Sequence, residues 1–165
     1  MAFQLSGIDP APFEALFALD DARLRELGAK RCIADSDRGY PCRVSLEDAK
    51  TGDELLLLPY EHQPATSPYR ASGPIFVRRG AMRRVLPASV VPPYVSARLM
   101  SLRAYDAGHM MIDAEVCEGV DVARELARMF RASAIAYVHL HNARRGCFSC
   151  VAHPAWDESF GCTGG

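Results

Sequence analysis

Met100-Ser101-Leu102-Arg103-Ala104-Tyr105-Asp106-Ala107-Gly108-His109-Met110-Met111-Ile112-Asp113-Ala114-Glu115-Val116 is the stretch that decides the fold class. Before the Asp106-Ala107-Gly108 break, Met100, Leu102 and Ala104 alternate with Ser101, Arg103 and Tyr105. After it, Met110, Ile112, Ala114 and Val116 alternate with Met111, Asp113 and Glu115. A period of two on both sides of a glycine-bearing break marks an antiparallel hairpin. A three-residue loop with Gly108 in the left-handed third place predicts Ala104 opposite Met110 and Leu102 opposite Ile112. Arg103 then lies diagonal to Asp113 on the other face, an easy ion pair.

Downstream of the hairpin, Asp121 predicts the cap of a helix in which Val122, Leu126, Met129 and Phe130 form one apolar stripe ending near Arg131. Ile135 to Asn142 then reads as a strand, Ala143-Arg144-Arg145-Gly146 as a turn, and Cys147 to about Val151 as a last strand. Upstream, Leu55 to Leu58 is apolar on both faces and suits a central strand covered on both sides. Gly73-Pro74 opens a strand over Ile75 to Arg78, Lys30 to Ala34 gives another, and Phe3 to Ile8 suits an edge strand. Asp9-Pro10 and Asp20 or Asp21 predict the starts of two short helices, with Gly28 as the left-handed stop of the second, and Ser45 with Asp48 has the form of a capping box. The sum is an α+β fold: an antiparallel-rich mixed sheet of about five to seven strands, one main helix (about 121–131) and short N-terminal helices. Residues 1–153 are expected to form a single globular domain and 154–165 a partly disordered C-terminal tail.

A chain of 165 residues can bury a core without staples, so metal and disulfides are optional for folding. The net charge of −1 gives no electrostatic case for nucleic acid or a membrane surface. No basic stretch followed by an apolar run opens the sequence, no apolar run approaches spanning length, and the six cysteines then read as reduced thiols in a cytoplasmic protein. Among the 19 basic residues only Lys30 and Lys50 are lysines, a bias that a GC-rich genome or an anion-binding surface would produce.

Side chains that could carry chemistry gather in three places. On the strand 135–142, Ala136, Val138 and Leu140 make the core face, so His139 and His141 point the other way, about 7 Å apart. There they could transfer protons, line a pocket, or remain half-buried and hydrogen-bonded. Cys147, across the turn, could act as a nucleophile with His139 or His141 as base, or be an inert thiol. Together with Cys150 these residues also hold enough soft ligands for zinc, provided the Cys147–Cys150 segment turns, since on a strand the two cysteines would face opposite sides. The third place is the irregular segment 61–74, where Tyr69, Arg70 and Ser72 precede Gly73-Pro74 in the manner of loops that hold carboxylates or phosphates; Glu61 is the local acid that would otherwise pair with Arg70. Arg43, Arg103 and Asn142 complete the ligand-binding candidates, Arg103 having Asp113 as its structural alternative.

Pro41-Cys42-Arg43, Leu55 to Leu58 with Tyr60-Glu61, Tyr69 to Phe76, Leu102 to Asp106 and His139 to Phe148 together resemble a bacterial family, the domain of unknown function numbered 1203. The resemblance runs from about Phe3 to Phe148 and implies no reaction, substrate or cofactor. Cys150, His153 and Cys162 fall outside it. Three readings follow: a pocket for an anionic small molecule, enzymatic or not, between the 69–74 loop and the 139–147 strand and turn; a zinc protein; and an interaction module or homodimer using Tyr60, Tyr69 and Tyr94.

Overall fold

The computed structural model describes residues 1–155, and its strands divide between two five-stranded sheets. The first, in spatial order, holds β1 (Ala2–Ser6), β10 (Phe148–Ala155), β9 (Tyr137–Asn142), β7 (Leu99–Tyr105) and β8 (Met111–Glu118), every pair antiparallel. The second holds β2 (Lys30–Ile33), β5 (Glu54–Gln63), β6 (Ala71–Arg78), β3 (Pro41–Cys42) and β4 (Glu47–Asp48), with β3 and β6 its one parallel pair. Helices are short: α1 (Ala11–Glu14), running into a 3-10 turn, α2 (Asp21–Glu26), α3 (Pro93–Ser96) and α4 (Val122–Met129). The α+β class expected from the sequence is therefore the class observed, with the strands shared between two sheets. No helix among the described residues is long and apolar enough to cross a membrane.

One face of the first sheet carries Leu5, Met100, Leu102, Val138 and Leu140, and α4 covers it with Val122, Leu126 and Met129. The second sheet is covered on both faces, as the Leu55 to Leu58 run requires. Leu56 and Leu58 pack with Phe13, Phe17 and Leu24 from the N-terminal helices, whereas Leu55 packs with Ala34, Tyr40 and Phe76 on the other side. Between the sheets, the His62 ring stacks on Phe148 at 5.5 Å and 11°, and Gln63 Nε2 donates to the Tyr137 hydroxyl at 2.8 Å. Gly7 marks a close crossing of chains, since a Cβ there would stand 2.0 Å from the Val44 carbonyl oxygen.

Local signals held where a single residue sets the geometry. The Asp20 carboxylate accepts the Arg23 N–H at 2.8 Å and caps α2, while Gly28 ends the turn at φ 70°. Gly28→Ala should therefore cost about 1–2 kcal/mol, because a Cβ disfavours the left-handed region and the space around it offers only ordinary contact with Pro59. Urea unfolding would check this, and an unchanged midpoint would contradict it.

Other local expectations are corrected. Ser45 and Asp48 do not cap a helix: Leu46 turns the chain at φ 54° and Glu47–Asp48 form β4. Asp121 sits inside a 3-10 turn and pairs with Arg124 at 2.7 Å instead of capping α4. The hairpin forms with a shifted register, Tyr105 opposite Met111, Ala104 opposite Asp113 and Leu102 opposite Glu115. His109, at φ 62°, takes the left-handed place expected of Gly108, and its Nδ1 lies 2.8 Å from the Tyr137 hydroxyl. The shift turns Asp113 and Glu115 toward α4, where Arg128 pairs with Asp113 at 3.4 Å, so Asp113 is not the partner of Arg103. Pro154 and Ala155, expected in the tail, extend β10, and the rest of the expected tail, with Cys162, lies outside the described residues.

Candidate functional site

A cleft of about 1070 Å³ opens where the β9–β10 turn of the first sheet meets the β3 end of the second. The local sequence explains why Arg43 lies at its floor. Pro41-Cys42 runs parallel to β6, the Arg43 N–H donates to the Phe76 carbonyl at 3.0 Å, and the turn at Leu46 follows at once. The Arg43 side chain is thereby driven inward and is only 1% exposed. Its Nε donates to the Phe148 carbonyl at 2.8 Å, its Nη1 to the Pro41 carbonyl at 2.5 Å and its Nη2 to Cys147 Sγ at 3.1 Å. No carboxylate among the described residues pairs with it, so a buried guanidinium is held by neutral acceptors and one sulfur, an expensive arrangement in a water-excluded place.

Cys147 sits at the end of the turn that Gly146 closes at φ 75°, with the Gly146 N–H donating to the Asn142 carbonyl at 2.7 Å. The Asn142 amide Nδ2 approaches Cys147 Sγ at 3.6 Å, and its buried Oδ1 has no hydrogen-bond partner among the described residues. The exposed Arg144 and Arg145 flank the thiol from the turn itself, and Arg38 joins them in lining the cleft. Arg98 is already committed, donating to both Asp48 oxygens at 2.7 and 2.8 Å. Two acids line the same space, Asp35 and Glu118, and Asp35 accepts the Tyr40 hydroxyl at 2.9 Å. Arg38, Arg43, Arg144 and Arg145 form no ion pair among the described residues, so the cleft is cationic on a chain whose net charge is −1.

His139 and His141 do not line this cleft. Both are buried in a layer between the sheets, with ring centroids 6.3 Å apart, and His62 from β5 completes a triangle at 6.1 and 4.9 Å. Phe148 packs against all three rings. His141 Nδ1 lies 3.0 Å from the Gly146 carbonyl, which fixes that nitrogen as the donor and leaves Nε2 without a proton. That Nε2, His139 Nδ1 and His62 Nδ1 are buried without partners among the described residues. Burial, joined by the neighbouring His141, His62 and His153, pushes His139 down to about 3. Burial likewise pushes His141 down to about 4, against the opposing pull of the Gly146 carbonyl. His62 is lowered by burial and by Arg103. The layer is thus a set of neutral imidazoles at neutral pH.

The remaining candidates are dispersed. Tyr69 reaches the histidine layer, packing edge-on to Tyr105 at 6.1 Å, and Tyr105 lies 5.1 Å from His139. Arg70 turns outward to Glu61, with Nε to Oε1 at 2.6 Å, and Ser72 is exposed on β6. Arg103, opposite His139 in register, is half-buried and forms no ion pair among the described residues. Cys150 is fully buried on the far, α4-facing side of the sheet, and burial pushes its thiol up to about 12, so it does not join Cys147. No three His, Cys, Asp or Glu side chains among the described residues are arranged to hold a metal ion. Tyr94, expected at an interface, is 3% exposed, and its hydroxyl donates to the Ser149 carbonyl at 3.4 Å.

Sequence reading missed His62, Arg38 and the role of Arg144 and Arg145. For His62 a signal existed: Leu56, Leu58, Tyr60 and His62 keep the period of two, but Pro59 disguises the continuity of β5. The two arginines were visible in a turn, and only the approach of β3 from the other sheet makes that turn one wall of a cleft.

No curated protein and no solved structure matches this chain. A family model, described as a protein of unknown function (DUF1203), matches residues 39–153. That span contains Arg43, Arg98, Asn142 and Cys147 and covers more than half of the sequence; it begins later than the expected Phe3 and, against the expectation, takes in Cys150 and His153. The chain belongs to the DUF1203 family.

Proposed function

We propose that this protein binds an anionic small molecule in the cleft between the β9–β10 turn and β3. The observation that carries the reading is the set of guanidinium groups there without carboxylate partners among the described residues, one of them, Arg43, buried at the floor. Arg144 and Arg145 would meet the ligand first, Arg38 would close on it from the loop before β3, and Asn142 would offer a polar contact beside Cys147. A volume near 1070 Å³ exceeds what a single inorganic ion needs and suits a small organic anion. Forked guanidinium donors match carboxylate and phosphate oxygens in geometry as well as charge. A bacterial cytoplasm, where Cys147 stays a thiol, fits this reading, and neither nucleic acid nor a membrane is needed by it.

Calorimetric titration with citrate and with inorganic phosphate tests the proposal. The wild-type protein should bind citrate more tightly than phosphate, and Arg144→Glu/Arg145→Glu should weaken citrate by at least about tenfold, since each reversed charge replaces attraction with repulsion at short range. The exposed positions make misfolding of this variant easy to exclude by its unfolding midpoint. Equal citrate affinity in the two proteins, or none in either, would overturn the proposal.

A further inference from the structure

From the chemistry at the floor of the same cleft, and resting on the anion-binding reading, we infer that Cys147 undergoes thiol–disulfide exchange with a carboxylate-bearing, low-molecular-weight disulfide. Cys147 lines the cleft, is partly exposed, and receives Arg43 Nη2 at 3.1 Å and Asn142 Nδ2 at 3.6 Å. Arg43 adds a second observation: a charged side chain 1% exposed, held by two backbone carbonyls and the sulfur, with no carboxylate among the described residues to balance it.

The structure selects this chemistry by what surrounds the sulfur. Acyl transfer by a cysteine needs a base within hydrogen-bond reach, and none of the histidines bonds to Cys147, His139 and His141 lying instead in the layer between the sheets. Disulfide exchange proceeds through the thiolate and needs no oxyanion site and no positioned general base, only an accessible thiol that can lose its proton to solvent and room for in-line attack. Cys147 loses its proton to solvent and its thiolate attacks one sulfur of the incoming disulfide; the new S–S bond forms as the old one breaks, and the departing half leaves with the electron pair as a thiolate. The proton lost by Cys147 passes through solvent to that thiolate. Cys42 and Cys150 are fully buried, Cys42 Sγ accepting the Arg78 N–H at 3.4 Å, so neither stands ready to resolve the adduct. With no resolving thiol beside Cys147 among the described residues, the product is a mixed disulfide, with the carboxylates of the retained half beside Arg144 and Arg145.

Two disulfides of opposite charge test the inference: oxidised glutathione, rich in carboxylates, and cystamine, which is cationic. Peptide mapping over time should show Cys147 modified by oxidised glutathione at least about tenfold faster than by cystamine, with the preference shrinking as salt is raised. Cys32 and Cys117 are partly exposed internal controls outside the cleft and should show no such preference. Cys117 stands among Glu115, Asp121 and Glu125, and burial together with these acids raises its thiol to about 11. Equal rates of the two reagents at Cys147, or the same preference at Cys32, would overturn the inference. Citrate titration of the wild type separates the two claims: citrate binding with an unreactive Cys147 ends the exchange chemistry alone, while no citrate binding ends the cleft reading itself.

Discussion

Arg43→Met should destabilise the protein by about 3–5 kcal/mol and abolish citrate binding with it. The methionine fills most of the volume but removes all three donors, leaving the Phe148 and Pro41 carbonyls to lose their guanidinium hydrogen bonds in a buried place. Each unmet buried acceptor costs about 1–3 kcal/mol, and the bond to Phe148 is also one of the ties between the two sheets. Loss of the buried charge works in the opposite direction, because it relieves desolvation of the guanidinium, and this is why the estimate stops short of the upper end of the sum. Arg43→Lys keeps the charge but cannot span three acceptors in a fork, so it should fall between wild type and Met. Chemical denaturation in urea measures both, and a midpoint for Arg43→Met within experimental error of wild type would show that Arg43 does not tie the sheets.

Acidification should unfold this protein through its histidines before its carboxylates. His139 and His141 have folded-state values near 3 and 4 against an ordinary 6.5. Below pH 6.5 the unfolded chain therefore binds protons that the folded protein refuses, and stability declines as the pH falls from 6.5 toward 4. Above 6.5 these two rings contribute no slope. The groups facing them are His62, His153, Arg103, Arg43, Phe148 and the Gly146 carbonyl; the two guanidinium groups, and the other two imidazoles once protonated, oppose protonation, and the Gly146 carbonyl alone favours it at His141. Two protons refused over about two pH units correspond to roughly 3–5 kcal/mol lost between pH 6.5 and 4.5. Glu54 and Glu125 are held below the usual carboxylate value by arginines, so their contribution is lost only below about 4.5, in a separate window. His139→Phe should flatten the upper window by about one proton, near 1.4 kcal/mol per pH unit. A stability that stays level from pH 6.5 to 4.5 in wild type would contradict the buried, neutral state of the layer.

Which features were legible in the sequence follows from how local their causes are. Asp20, Gly28 and the apolar run Leu55 to Leu58 each fix their structure within a few residues; Gly28 and the run are as expected, and of the two aspartates the sequence offered as the cap, Asp20 is the one that serves. The 100–116 hairpin was legible as a hairpin but not in its register. Gly108 is the better left-handed residue by propensity, yet His109 takes the position, held by Tyr137 from another strand. The faces of β8 are the reverse of those expected for a related reason: it is an edge strand whose Ile112 and Val116 are 46% and 58% exposed, while Asp113 and Glu115 turn to Arg128 on α4. Of the candidate site residues, Arg43, Asn142 and Cys147 come together in one cleft, although 104 residues separate Arg43 from Cys147. Their meeting depends on the packing of two sheets, which no local pattern encodes. Arg70 found the nearby Glu61, a pairing that sequence proximity did suggest.

The central claim is that the cleft at Arg43, Arg144, Arg145 and Cys147 is where an anion binds, and residue-resolved NMR titration with citrate tests it most directly. Saturable shifts of backbone amides confined to residues 38–43, 97–99 and 142–147 are the result the account predicts. Shifts scattered over the surface in proportion to salt, or centred on Tyr69 to Ser72 and away from the β9–β10 turn, would contradict it.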